Sequence, residues 1–260
     1  MRSPSVYDSV APSFDLHRPL PEHVPSAIRT AILDAVNAAS RPRLLDIGGG
    51  TGRIGRAFVA ANDDYVTVDL SLGMLREFAR WCDRPGYRPA LLQADGQRLP
   101  FRDDAFDAVL LIQVVGAAEG WHALAKEARR VLRPAGGALV IGRAVAPESG
   151  VDAQMKHRLA TVLQDLGVPS HQTKSRAVLQ RLLETEALAS TKTLAATWVA
   201  EHSPSMFLSR QKTGARFSRL PPAVQATALG NLSEWAVARF GSLDSAFSEQ
   251  HAFELHMYKF

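Results

Sequence analysis

Cysteine is nearly missing from this chain: Cys82 stands alone, which excludes an internal disulfide and a cysteine-rich zinc site. Single-cysteine usage is compatible with a reducing compartment, and a cytoplasmic location is expected. No apolar run approaches the ~18 residues that cross a bilayer. The opening MRSPSVYDSV has no apolar core of a secretory leader, so neither export nor membrane insertion is expected. There is no internal repeat and no low-complexity tract, which excludes solenoids and propellers. A large excess of one charge sign is also lacking: the formal net charge is +4, too mild to argue for nucleic acid. Acidic residues are absent from one stretch, His202 to Ser233.

What is present suits one globular domain with a full core: 260 residues, 46% of them hydrophobic. Residues 1–40 read as an irregular arm and a helix. Tyr7 and Phe14 on the arm suggest docking, since aromatics on a short segment bury against something. Val24, Ile28, Ala31, Ile32 and Ala35 then fall on one helical face, over about 25–39. From 43 to 141, five short apolar runs alternate with helical patterns: 43–47, 65–68, 90–94, 106–112 and 138–141. This alternation predicts a mostly parallel sheet covered on both faces. Two further helical patterns, 151–166 and 175–188, precede a strand at 193–200. The chain closes with 253–260, where Phe253, Leu255 and Met257 alternate with polar residues, as in a strand with unlike faces. Between these last strands a helix is expected over 223–240.

Arg43 to Gly55, RLLDIGGGTGRIG, is the centre of the reading: a buried strand, a glycine-dense turn and a helix start. Such a junction offers free N–H groups and a helix N-terminus to a nucleotide. Gly50-Thr51-Gly52-Arg53-Ile54-Gly55 fits the dinucleotide pattern G-x-G-x-x-G, a weak signal alone. Asp46-x-Gly48-x-Gly50-x-Gly52 fits a second pattern, D-x-G-x-G-x-G. Asp46 tips the balance, because a pyrophosphate gains nothing from a carboxylate, whereas the ammonium of an amino acid wants an acceptor. Asp69 at the end of strand two suits ribose hydroxyls in either case. Asp95-Gly96 after strand three can meet an adenine amino group.

With these segments, LLDIGGGTGRIG, VTVDLSLGML, LLQADGQRLPF, FDAVLLIQVV and EARRVLRPAGGALVIG, the chain resembles class I S-adenosylmethionine-dependent methyltransferases of the small-molecule group called methyltransferase type 11. The resemblance covers about 44–142, and the arm YDSVAPSFDLHRP is similar to the family's N-terminal arm. It implies a Rossmann-like, doubly wound seven-stranded α/β sheet, mostly parallel with an antiparallel last strand, plus a helical insertion. It implies S-adenosyl-L-methionine as cofactor. Gly48, Gly50 and Gly52 would pass close to its methionine and ribose portion, and Asp46 would face the ammonium. Asp69 would hold the ribose, Leu70 and Met74 would flank the adenine, and Ala94, Asp95 and Gly96 would line its edge. Gln113 would sit beside the reactive methyl, and Arg18 could meet the cofactor carboxylate.

The organisation expected is therefore one methyltransferase domain: 1–40 arm and helix, 41–142 cofactor-binding core, 203–250 a helical lid between the last two strands. If the strand at 193–200 runs parallel to the first five, the lid hangs over their carboxyl ends, where such sheets bind ligands. Arg210, Lys212, Arg216 and Arg219 interleave there with Met206, Phe207, Leu208 and Phe217. That points to a small, apolar acceptor with an anionic group, with Phe14, Arg143, Met206, Phe207 and Arg210 as its contacts. An RNA-facing surface would need a recognisable RNA-binding motif, which is lacking. Catalysis would rest on positioning, with His202, at the lid's start, as the candidate base; His17 and His171 are alternatives. No His/Asp/Glu grouping has metal-ligand spacing, so no metal is expected. Two rivals stay open: a nicotinamide-dependent reductase using the overlapping glycine pattern, and a non-catalytic cofactor-binding module.

Overall fold

A computed structural model describes residues 5–36, 41–114, 120–169 and 183–260, except for the side chains of 215 and 216. In chain order the elements are α1 (Ala11–Phe14), α2 (His23–Val36), β1 (Arg43–Ile47), α3 (Gly55–Ala60), β2 (Asp64–Asp69), α4 (Leu72–Trp81), β3 (Ala90–Gln93), β4 (Ala108–Ile112), α5 (Trp121–Val131) and β5 (Ala138–Val145). There follow α6 (Val151–Asp165), β6 (Ala189–His202), α7 (Pro204–Gln211), α8 (Ala215–Ser218), α9 (Pro222–Phe240) and β7 (Phe247–Lys259). The helix expected over 175–188 lies mostly outside the described residues; 183–186 of it are helical.

The seven strands form one sheet in the order β3-β2-β1-β4-β5-β7-β6. β1 to β5 pair in parallel, and β7 is antiparallel to both β5 and β6. β6 therefore runs in the direction of the first five. The chain leaves β6 at the edge where their carboxyl ends meet, so 203–246 starts on the ligand-binding edge.

Strand periodicity divides the core. On β1, Leu45 and Ile47 join Val109 and Leu111 of β4 and Leu124 and Ala128 of α5 on one face. Leu44 and Leu110 face the other way, onto Val24, Ile28 and Ile32 of α2, with Phe58 and Phe78. A third core, away from the sheet, is built from Met155, Leu159 and Val162 of α6, Phe207 of α7, Phe217 of α8, and Ala228 and Leu232 of α9. The basic segment is thus a helical unit with its own apolar centre, shared with α6.

α3 starts at Gly55, later than the expected 51, because the turn is still left-handed there: φ is +58° at Gly50 and +77° at Gly52. Glycine is suited to both positions. At Gly52 a Cβ would also stand 2.4 Å from the Phe78 ring. At Gly50 it would meet nothing nearer than Asp69 Oδ2 at 4.0 Å, so that side of the turn is open.

Candidate functional site

The open side of the glycine turn faces a cavity of about 510 Å³. Its floor is the carboxyl edge of the sheet: Asp46, Ile47 and Gly48 after β1, Asp69 and Leu70 after β2, Ala94, Asp95 and Gly96 after β3, and Ile112 and Gln113 after β4. Its roof is the arm, with Tyr7, Phe14 and Arg18. Every cofactor contact expected from sequence lines this one space: Arg18, Asp46, Gly48, Gly50, Asp69, Leu70, Met74, Ala94, Asp95, Gly96 and Gln113, except Gly52, which is packed beneath the turn on Phe78.

Asp69 is held from two sides. Its Oδ2 accepts from the Gly50 N–H at 2.9 Å and its Oδ1 from the Ser71 N–H at 2.8 Å. Burial pushes its pKa up, and these two backbone donors pull it back. Ser71 caps α4, accepting from the Met74 N–H at 3.1 Å. Leu70 projects into the cavity with half its surface exposed, whereas Met74 is 3% exposed and doubles as core. Asp95 Oδ1 accepts from the Gln97 N–H at 3.0 Å, so this carboxylate caps a turn as well as lining the cavity.

Asp46 is buried. Tyr65 Oη donates to its Oδ2 at 2.5 Å, while its Oδ1 has no hydrogen-bond partner. Burial raises its pKa to about 7; the Tyr65 bond opposes the rise and the charge of Asp69 adds to it. An orphaned, buried carboxylate oxygen at the wall of a cavity is an acceptor awaiting a cation.

The arm is docked. Asp8 Oδ1 accepts from the Ser71 hydroxyl at 2.6 Å and from the Gly73 N–H at 2.8 Å. Asp15 receives Thr51 Oγ1 at 2.5 Å and Arg56 at 2.7 Å. Tyr7 and Phe14 meet edge to face at 6.1 Å, and the Arg18 guanidinium stands 4.4 Å over the Phe14 ring. Arg18 also donates to Thr213 Oγ1 and to the Arg210 carbonyl, so it joins the arm to the helical segment.

The cavity lining also includes Arg53, Val114 and Arg219, which are not among the contacts expected from sequence. Arg53 sits inside the glycine turn, in a position any residue can fill. Its guanidinium donates to Gln113 Oε1 at 2.6 Å and to the Arg18 carbonyl. Burial, with Arg18 and Arg56 nearby, lowers its pKa to about 10, so it stays charged at neutral pH. Among the described side chains of 203–246, Arg219 lines the cavity; only its place in the basic stretch hinted at it.

The expected acceptor contacts mostly lie elsewhere. Phe14 lines the cavity. Arg143 does not: it pairs with Glu254 at 2.8 Å on the far strands of the sheet. Phe207 is 6% exposed and belongs to the third core, because the α7 face that carries it packs against α6 and α9. Met206 points outward, 41% exposed. Arg210 is paired with Asp152. His202 is 6% exposed and away from the cavity lining, stacked on His251 with centroids 4.5 Å apart, so it cannot serve as base there. Although no grouping has metal-ligand spacing in the sequence, the fold brings one ligand atom each of His202, Glu249 and His251 within 4.8 Å of the others. The helical segment separates them in sequence, which hid the grouping.

Comparison with known proteins agrees with this geometry. Residues 45–141 match the family described as "Methyltransferase domain". The chain is 36% identical over 150 residues to a demethylmenaquinone methyltransferase of Parafrankia sp., covering 51% of this chain and 59% of that protein. It is 36% identical over 144 residues to the ubiquinone/menaquinone biosynthesis C-methyltransferase UbiE of Paraburkholderia phytofirmans, covering 52% and 58%. The chain thus spans about three fifths of the length of these curated relatives. Among solved structures, the YcgJ protein of Bacillus subtilis has the same fold: TM-score 0.57 at 17% identity, over 90% of this chain and 98% of that one. Residues 45–141 are a class I S-adenosylmethionine-dependent methyltransferase domain, and its cofactor is S-adenosyl-L-methionine. The residues present fit that molecule: an orphaned buried carboxylate oxygen for its ammonium, a fixed carboxylate on the second strand end, and a glycine turn open on the cavity side. No helix among the described residues is long and apolar enough to cross a membrane.

Proposed function

We propose that the chain transfers the methyl group of S-adenosyl-L-methionine to a small-molecule acceptor. The observation that carries the reading is the single cavity in which the expected cofactor contacts converge beneath an aromatic arm. Its volume of about 510 Å³ suits a cofactor and a modest acceptor. Asp46 would receive the ammonium and Asp69 the ribose hydroxyls. Leu70 and Met74 would flank the adenine, whose edge would lie along Ala94, Asp95 and Gly96. Arg53 joins Arg18 as a partner for the cofactor carboxylate, since both guanidinium groups line the cavity.

When bound, the cofactor supplies an electrophilic methyl on a sulfonium. The chain's part is to align an acceptor in line with it and to exclude water. Gln113, at φ +61° beside that position, orients but does not take a proton. Residues 203–246 would act as the lid, with Arg219 offering a cation to an anionic or electron-rich acceptor. Tyr7 and Phe14 suit a planar ring. The relatives' names favour a quinol-type ring carbon as acceptor; such a carbon is activated by its own ring oxygens, which accords with a cavity lined by no histidine among the described residues, His171 lying outside them.

The test is transfer from methyl-labelled cofactor to a panel holding a soluble naphthoquinol, phenols, amines and carboxylates. Label on the naphthoquinol ring carbon is expected. Transfer to oxygen or nitrogen alone would overturn the acceptor, and no transfer across the panel despite cofactor binding would favour a non-catalytic module.

A further inference from the structure

We propose that His202, Glu249 and His251 bind a divalent transition-metal cation of the zinc class, pinning the root of the 203–246 segment to the sheet. The three come from facing strand ends. In the β6–β7 ladder Trp198 stands opposite His251 and Ala200 opposite Glu249. Partners across a ladder share a face, and His202, two residues beyond Ala200, shares it too. That face is the apolar one: Phe253, Leu255 and Met257 on β7, Ala196 and Trp198 on β6. The buried stripe therefore runs on, at its end, into two imidazoles and a carboxylate, each 6–7% exposed.

Buried polar atoms are ordinarily satisfied, yet here four are not. His202 Nδ1, His202 Nε2, Glu249 Oε2 and His251 Nε2 all lack a hydrogen-bond partner. The neighbouring groups aim them inward. Glu249 Oε1 accepts from the Val151 N–H at the start of α6, which leaves Oε2 turned toward His251 Nε2, 3.7 Å away. Asp152 Oδ2 stands 3.3 Å from His202 Nδ1, a poorly aligned approach that nonetheless puts a carboxylate behind that imidazole. Carboxylates behind ligating histidines are the usual outer partners in metal sites, and they leave Nε2 for the ion.

Two imidazoles and one carboxylate suit zinc in tetrahedral coordination, with a water in the fourth place. Bonds of about 2.0–2.1 Å set the ligand atoms about 3.3 Å apart, so atoms now within 4.8 Å must draw closer. A cleft of about 520 Å³, lined by Gly150, Val151, Gln154, Phe240 and Glu249, gives an approach to the carboxylate. None of the three ligands lines the cofactor cavity. The ion would join the end of β6, the start of β7 and, through Glu249 and Asp152, the first turn of α6. It is a structural clamp rather than a partner in methyl transfer.

The test uses the full chain, produced without a histidine tag, stripped with chelator and titrated with Zn²⁺. About one tightly bound zinc per chain is expected, with a raised unfolding midpoint and, for Co²⁺ in its place, the visible bands of a tetrahedral site. Glu249→Gln and His251→Gln should each weaken zinc binding at least about 100-fold, and Asp152→Asn about tenfold. Folding of each variant is checked by circular dichroism; if both ligand variants unfold, the wild-type cobalt bands and midpoint shift decide alone. Failure of the wild-type chain to bind zinc more tightly than millimolar would overturn the site. So would unchanged zinc binding in folded Glu249→Gln and His251→Gln, which would place the ion on surface histidines.

Discussion

The two halves of this molecule hold their functional residues in different ways. From β1 to β4 most of the residues proposed to hold the cofactor sit at the carboxyl ends of short strands, and backbone N–H groups of the adjoining turns fix Asp69 and Asp95. Asp69, clamped by Gly50 and Ser71, is the model case. From β6 onward the polar residues are held by one another across long sequence distances: Arg210 by Asp152, Arg18 by Thr213, His202 by the His251 ring. A site built on strand ends tolerates change in the helical segment, whereas one built from mutual contacts shifts as a unit. The cofactor-binding half is therefore expected to lose affinity in large single steps, and the helical half to lose stability.

The largest step is expected at Asp69. Asp69→Ala removes the ribose acceptor and frees the Gly50 N–H, and should weaken cofactor binding by at least about 100-fold in calorimetry. A dissociation constant within threefold of the wild type would break the comparison on its stronger side. Next comes a contrast of two arginines. Arg53→Ala should weaken binding by about 10- to 100-fold, the range of a lost charge-assisted contact. Arg210→Ala should leave affinity within about threefold yet cost about 1–3 kcal/mol in denaturant unfolding, because Asp152 loses its cation in a mostly buried place. The reverse pattern would put Arg210 in the site and Arg53 in the scaffold.

Asp46 links affinity and stability with opposite signs. Its folded pKa, about 7, lies above the ordinary value of 3.8, so the fold favours its protonated form. The stability this provides is whole below about 3.8 and is lost as pH rises to about 7. Cofactor binding needs the charged form, so affinity should fall as pH drops below about 7, by up to about tenfold per unit. Asp46→Asn should flatten that profile, weaken binding, and raise the apo midpoint at pH 8. A wild-type affinity independent of pH between 5.5 and 8 would remove Asp46 from the ammonium site. The smallest effect is expected at Arg143→Ala. Its pair with Glu254 is half exposed, worth under about 1 kcal/mol, and labelled-methyl turnover should not change.

The same contrast explains what could be read from sequence. The sheet and the strand-end residues that line the cavity follow from periodicity and local turn chemistry, in which neighbours in sequence are neighbours in space. Met74, expected beside the adenine, is both core and cavity wall. Arg53 was missed because the turn's pattern leaves its position open. Phe207 and Arg210 were assigned to the acceptor because an apolar and basic stretch looks the same whether it faces a ligand or packs on α6, and that choice is made by the third core. β7 begins at Phe247, ahead of the expected 253. Glu249 and His251 continue its alternation, but as polar residues they broke the hydrophobic signal.

Calorimetry of the full chain with S-adenosylhomocysteine, run in parallel with NADH, tests the central claim most directly. The geometry of Asp46, the glycine turn and Asp69 predicts saturable binding of the first at a single site and none of the second. Binding of NADH with none of S-adenosylhomocysteine would contradict it.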